Sequence, residues 1–90
     1  MSTVRNDAAD QCYVLDIEGE RAVAAYRRDG DIITFTHTVV PPDQQGHGIG
    51  STLIAGALAN VRRAGLKIVA QCPFVAAYVD RHPDTQDLLA

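Results

Sequence analysis

The segment 31–40, DIITFTHTVV, constrains the fold of this chain more than any other stretch. It is rich in β-branched residues and alternates regularly along its length, which predicts a strand. Pro41 and Pro42 end that strand, because proline has no amide hydrogen to donate to a neighbouring strand. If the alternation holds to the end, four side chains share one face: Ile33, Phe35, His37 and Val39.

A helix and a second strand follow the prolines and a glycine-rich loop. Apolar side chains recur at helical spacing from Ile49 to Val61, and Gly65 stands at the usual C-cap position. These features predict a helix over roughly 49–64. The short apolar run LKIVAQ at 66–71 then predicts a buried strand. Strand, helix and strand in such close succession form a right-handed βαβ unit, so the two strands should lie parallel.

The rest of the chain supplies shorter elements. Strands are predicted at 12–17 and 21–28, although the alanines of the second also favour a helix. A helix should begin at Pro73 and stop before His82-Pro83, with a last helical turn after Asp84. Residues 1–10 are expected to form a flexible tail, and 11–90 a single domain. The predicted fold class is α+β, with antiparallel strands leading into the parallel pair.

Composition excludes several classes of protein. A hydrophobic fraction of 47% with 21% charged residues is typical of a folded domain. The net charge of -3, without a large basic cluster, argues against nucleic acid as a partner. No apolar stretch approaches the ~20 residues that span a bilayer, and the polar start favours a cytoplasmic protein. Cys12 and Cys72 are expected to be free thiols, and no metal-ligand spacing occurs.

The loop before the helix can bind an anion. In QGHGIG, residues 45–50, three glycines alternate with other residues directly before and at the predicted helix start. Bare backbone amides and the positive end of the helix dipole would attract a phosphate there. A tight turn between strand and helix explains the same glycines equally well. The loop lacks the lysine of a Walker A motif and the third glycine and acidic residue of a dinucleotide fingerprint.

The loop resembles the acetyl-CoA signature of the GCN5-related N-acetyltransferases, Gln/Arg-x-x-Gly-x-Gly/Ala, at Gln45, Gly48 and Gly50. Together with THTVVP at 36–41 and CPFVAAYVDRHP at 72–83, it makes residues 11–88 similar to the small single-domain branch of that superfamily, which carries an active-site cysteine. The resemblance implies the acyl-CoA N-acyltransferase fold, a mixed sheet whose parallel strands splay apart to admit acetyl-CoA. Typical members are longer, so the acceptor is the property that transfers least.

The resemblance also implies a set of residues that contact acetyl-CoA. Amides of residues 46–51 would hold its diphosphate, and backbone groups at the end of the first strand of the βαβ unit would pair with its pantetheine arm. The implied cofactor-binding residues are Val39, Val40, Gln45, Gly46, His47, Gly48, Ile49, Gly50 and Ser51.

Three side chains are candidates for the chemistry. Cys72 stands where a helix dipole favours the thiolate, and could accept the acetyl group or protonate the departing coenzyme A, or it could be a buried small hydrophobe. His37 could act as a general base or be a hydrogen-bonded core residue. Tyr78 could act as a general acid or pack on the sheet.

These inferences predict an enzyme that transfers an acetyl group from acetyl-CoA to a primary amine, working as a monomer or weak dimer. The alternative is a coenzyme-A-binding or protein-interaction module with little turnover. A scaffold without a ligand is a third possibility.

Overall fold

Five strands lie in chain order across one sheet, β1-β2-β3-β4-β5. The computed structural model describes residues 4–42 and 48–90. The strands are β1 (Val4–Asp7), β2 (Cys12–Ile17), β3 (Glu20–Asp29), β4 (Ile32–Val39) and β5 (Lys67–Ala70). The helices are α1 (Ile49–Ala64), α2 (Pro73–Arg81) and a C-terminal 3₁₀ helix (Pro83–Leu88). The predicted α+β class with a mixed sheet is confirmed.

The βαβ unit forms as the sequence predicts. Strands β1 to β4 are antiparallel neighbours, whereas β5 returns after α1 and pairs parallel to β4, with Ile33 opposite Ile68. Helix α1 ends at Gly65, which has a φ of 73° and donates its amide to Arg62, while Leu66 donates to Val61. This pair of bonds is a Schellman motif, and it turns the chain directly into β5.

The expected tail is wrong for Val4–Asp7, which forms the edge strand β1. Asn6 Oδ1 accepts a hydrogen bond from the Tyr26 hydroxyl at 2.6 Å, and Val4 packs against the core. The side chains of the two other residues, Arg5 and Asp7, point to the opposite face of the sheet, and both residues pair with β2. A four-residue strand with one apolar side chain shows no alternation of apolar and polar residues. Its polar composition therefore does not predict a strand.

At Gly56 the helix α1 packs closely against β1, and replacing this glycine tests the contact. A Cβ on Gly56 would lie 2.4 Å from Cγ2 and 2.5 Å from Cβ of Val4, so one of the two elements must move. We expect Gly56→Ala to lower the free energy of unfolding by about 1–2 kcal/mol despite alanine's higher helix propensity, because overpacking outweighs it. Urea unfolding measures the change. In a Val4→Ala background the same substitution should cost less, and stabilisation by Gly56→Ala alone contradicts the contact.

A β-bulge in β4 reverses the alternation that the sequence predicts. Tyr26 of β3 pairs with Phe35, but the preceding Ala25 pairs with His37, which leaves Thr36 as an extra residue. After the bulge, Thr38 pairs with the buried Ala24 and therefore faces the helices.

His37 and Val39 consequently face away from the helices, and both are exposed. The prediction that they share a face with Ile33 and Phe35 is therefore wrong. The reason is physical: one inserted residue exchanges the two faces of everything that follows it. Threonines at 34, 36 and 38 suit either face, so the composition of the segment does not mark the change.

Candidate active site

A gap opens where β4 and β5 separate. Their parallel pairing ends at Phe35 and Ala70, and the last link is a bond from the Cys72 amide to the Phe35 carbonyl at 2.8 Å. The chain then turns into α2 at Pro73, whereas β4 continues to Val39. We refer to the space between residues 36–39 of β4 and the start of α2 as the gap.

Cys72 and Thr38 meet at the gap. The Cys72 Sγ atom lies 3.4 Å from the Thr38 Oγ1 atom, a distance at which either group can donate a hydrogen bond to the other. Cys72 is the N-cap residue of α2 and only 4% exposed, and its carbonyl accepts the first helical bond, from Ala76. Thr38 was missed by sequence reasoning because only the bulge turns it toward Cys72.

The first turn of α1 is suited to an anion. Its N-cap is Gly48, and among the described residues no side chain caps it and no acidic residue lies in the turn. The first amides of a helix lack partners within the helix, and the dipole makes this end positive. Gly48 has a φ of 73°, which explains why glycine stands there. Gln45, Gly46 and His47 lie outside the described residues.

Gly50 has a different reason to be glycine. A Cβ at this position would lie 2.5 Å from the Cζ atom of Phe74, so the aromatic ring occupies the space that a side chain would need. Gly50 lies within α1 and has no positive φ. The proposal that all three glycines clear room for an anion therefore does not extend to Gly50, whose open face is covered by α2.

The structure does not bring His37 to Cys72. His37 pairs with Ala25 on the face of β4 opposite that of Thr38, and its side chain is exposed. Val39, on the same outer face, is 55% exposed. Val40 is half-buried and packs against the core. The end of β4 therefore presents Thr38 to one side of the sheet and His37 to the other.

Tyr78 lies away from the gap, between α1 and the C-terminal 3₁₀ helix. It lines a cavity of about 200 Å³ with residues that include Leu58, Arg62 and Thr85. Its ring stacks on His82 with centroids 3.9 Å apart, and the His82 Nδ1 atom lies 2.7 Å from the Tyr78 carbonyl oxygen. Burial, with a contribution from the Asp84 carboxylate, raises the pKa of Tyr78. Tyr78 thus packs between the helices, and its role as a general acid stays a prediction.

Cys12 and Cys72 are both free thiols, as expected. Across residues 4–42 and 48–90, none of the helices has the length and apolar character required to cross a bilayer.

Comparison with known proteins decides the family. The family model described as GCN5-related N-acetyltransferase matches residues 12–88, which is most of the chain. The chain belongs to this family. The resemblance found in the sequence is thereby confirmed, and acetyl transfer is the activity that the family indicates; the active-site role of the cysteine is not part of that finding.

A solved structure supports the same family. The chain is similar to the NMR solution structure of a GCN5-like putative N-acetyltransferase from Staphylococcus aureus, with 26% sequence identity and a TM-score of 0.73. The match covers 97% of this chain and 86% of that one. No functionally curated protein matches the chain. The family and the fold are therefore shown, whereas the acceptor and the catalytic residues need an argument from the site.

Proposed function

We propose that this acetyltransferase moves the acetyl group of acetyl-CoA to a primary amine at the gap between β4 and β5. The observation that carries the proposal is the Cys72 Sγ atom, 3.4 Å from the Thr38 hydroxyl, at the point where the two strands separate. A buried thiol, the end of the pairing between two parallel strands and a helix N-terminus that no described side chain caps occur together in the same part of this small fold.

The residues around the gap fit acetyl-CoA. Amides of Gly48, Ile49, Gly50 and Ser51 would donate hydrogen bonds to its diphosphate, since no side chain of the described residues caps that turn. The backbone of Val39 and Val40 would run beside the pantetheine arm, as a strand runs beside its neighbour. This arrangement would direct the thioester toward Cys72. Gln45, Gly46 and His47 of the preceding loop complete the proposed set.

Cys72 has two possible roles in the chemistry, and each balances. As a nucleophile, its Sγ would form a bond to the thioester carbonyl carbon, and the carbon–sulfur bond to coenzyme A would break. The neutral amine would then take the acetyl group from Cys72, which recovers its thiolate, while the proton lost by the amine neutralises the coenzyme A thiolate. In direct transfer, the amine would instead attack the thioester carbonyl carbon, Cys72 would donate its proton to the departing coenzyme A thiolate, and the proton lost by the amine would restore the Cys72 thiol.

The acceptor side of the reaction points to His37. Its exposed imidazole lies on the outer face of β4, across the sheet from Cys72. An amine that reaches the gap from this face could pass its proton to His37 and attack the carbonyl as a neutral nucleophile, a contribution typically of about 10² to 10⁴ in rate. Tyr78, which is buried between the helices and lines a cavity there, stays the predicted general acid.

One experiment separates the enzyme from a binding module and from a scaffold. The protein is incubated with acetyl-CoA, intact mass is recorded, and thiol release is followed with a panel of primary amines. Amine-dependent thiol release supports the transferase. Binding without release supports the module. No thermal shift with acetyl-CoA supports the scaffold, because a ligand at 100 times its dissociation constant should add about 2.7 kcal/mol.

A further inference from the structure

The Phe74 ring lies against the first turn of α1 although Phe74 belongs to α2. An added Cβ on Gly50 would lie 2.5 Å from Cζ of that ring and 3.2 Å from each of Cε1 and Cε2, so the tip of the ring points at Gly50. Phe74 is only two positions after Cys72, at the start of α2. The ring therefore connects the N-terminal ends of the two helices that border the gap.

Glycine at position 50 makes helix α1 less stable than alanine would, but it leaves room for the Phe74 ring. Gly50 is inside α1 and has no positive φ, so its backbone would accept alanine. Glycine in a helix is less favourable than alanine by up to about 1 kcal/mol. Only the contact with Phe74 accounts for glycine at this position among the described neighbours.

Packing within the protein alone does not explain the ring, because much of it remains in solvent. Phe74 is 39% exposed, and Val39 at the end of β4 is 55% exposed. Phe74 lies at the start of α2 and Val39 at the end of β4, the two elements that border the gap, with the Val39 side chain on the outer face of the sheet. Exposed apolar surface next to a binding cleft commonly contacts the ligand.

We infer that Phe74 is a binding residue for the pantetheine arm of acetyl-CoA, and that Gly50 is glycine so that the ring can lie beside the arm. The arm is a chain of methylene, dimethyl and amide groups, whose apolar parts would cover the exposed face of the ring. This inference rests on the proposed function, because it assumes that acetyl-CoA enters the gap.

The test compares acetyl-CoA with a ligand that lacks the arm. Adenosine 3′,5′-bisphosphate keeps the 3′-phosphate and the first phosphate of the diphosphate, and it lacks the second phosphate together with the arm. Calorimetry should show Phe74→Ala binding acetyl-CoA about 10-fold more weakly, a loss expected for part of an aromatic contact, with the affinity for the bisphosphate unchanged. Phe74→Leu should lose less. The control is Leu89→Ala, which removes a side chain that is 43% exposed at the C-terminus and should change neither affinity.

A second variant separates the ring's position from its presence. Gly50→Ala should displace the ring and weaken acetyl-CoA binding in the wild-type background, but should cost little further in Phe74→Ala. Circular dichroism melting confirms that each variant is folded.

Three results overturn the inference. Folded Phe74→Ala that binds acetyl-CoA as the wild type does shows that the ring does not contact the arm. Equal loss of both ligands shows that the ring acts on the phosphate-binding turn instead. If the wild type binds the bisphosphate too weakly to measure, the acetyl-CoA affinities of Phe74→Ala and Leu89→Ala are compared instead, and equal affinities overturn the inference. A wild type that does not bind acetyl-CoA removes the proposed function and this inference together, a result distinct from the first two.

Discussion

Replacement of Cys72 by alanine is expected to leave acetyl-CoA binding within a few-fold of the wild type and to lower amine-dependent thiol release by about 10² or more. The side chain is small and buried, so its loss leaves a fold that still binds the carrier. What disappears is the only thiol beside Thr38 Oγ1 in the described part of the chain. Steady-state kinetics with a thiol reagent measures the rate, and intact mass shows whether an acetylated protein precedes product.

Cys12→Ala is the matched control, because Cys12 is the other free thiol and lies at the start of β2. Burial, with smaller contributions from Asp7 and Asp10, raises the pKa of Cys12, which keeps it a neutral thiol. Its loss should not change the rate. Wild-type turnover in Cys72→Ala would contradict both roles given to Cys72, whereas a lost rate without any acetylated wild-type protein would favour direct transfer.

Replacement of Phe35 by alanine is expected to lower the free energy of unfolding by about 3–5 kcal/mol, which is a large part of the stability of a small domain. Phe35 is fully buried, and its ring centroid lies 6.0 Å from that of Tyr13 and 6.3 Å from that of Tyr26. It is also the last residue of β4 paired with β5. Urea unfolding followed by circular dichroism measures the loss.

Val39→Ala is the control on the same strand. Val39 lies after the bulge on the outer face and is 55% exposed, so its truncation should change stability by less than about 0.5 kcal/mol. Equal costs for the two substitutions would mean that the bulge does not separate the buried and exposed parts of β4 as described.

The periodicity of apolar residues and the positions of glycine and proline predict most of this fold. Helix α1 begins at Ile49 and ends at Ala64 as the sequence indicates, because an apolar helical stripe is bounded by Gly48 and Gly65. The ambiguous segment with three alanines is a strand, β3, which pairs along its length with β2 on one side and β4 on the other. β1 could not be predicted because its pairing depends on contacts with distant residues.

The site was less predictable than the fold. Local pattern locates Cys72 at the start of α2, but it cannot show which residue of β4 faces it. The answer, Thr38, depends on a bulge that no alternation count detects. The contact between Phe74 and Gly50 joins residues of two different helices, so hydrophobic periodicity within one helix does not predict it either. Sequence thus offers candidate residues, and tertiary packing determines which of them meet.

A crystal structure of the chain with bound acetyl-CoA tests the central claim most directly. Our account predicts the thioester carbonyl carbon in contact with Cys72 Sγ, the diphosphate on the first-turn amides of α1 and the arm between β4 and β5. A carrier bound outside the gap, for example in the cavity of about 350 Å³ that Ala70, Val79 and Gln86 help to line, would contradict it.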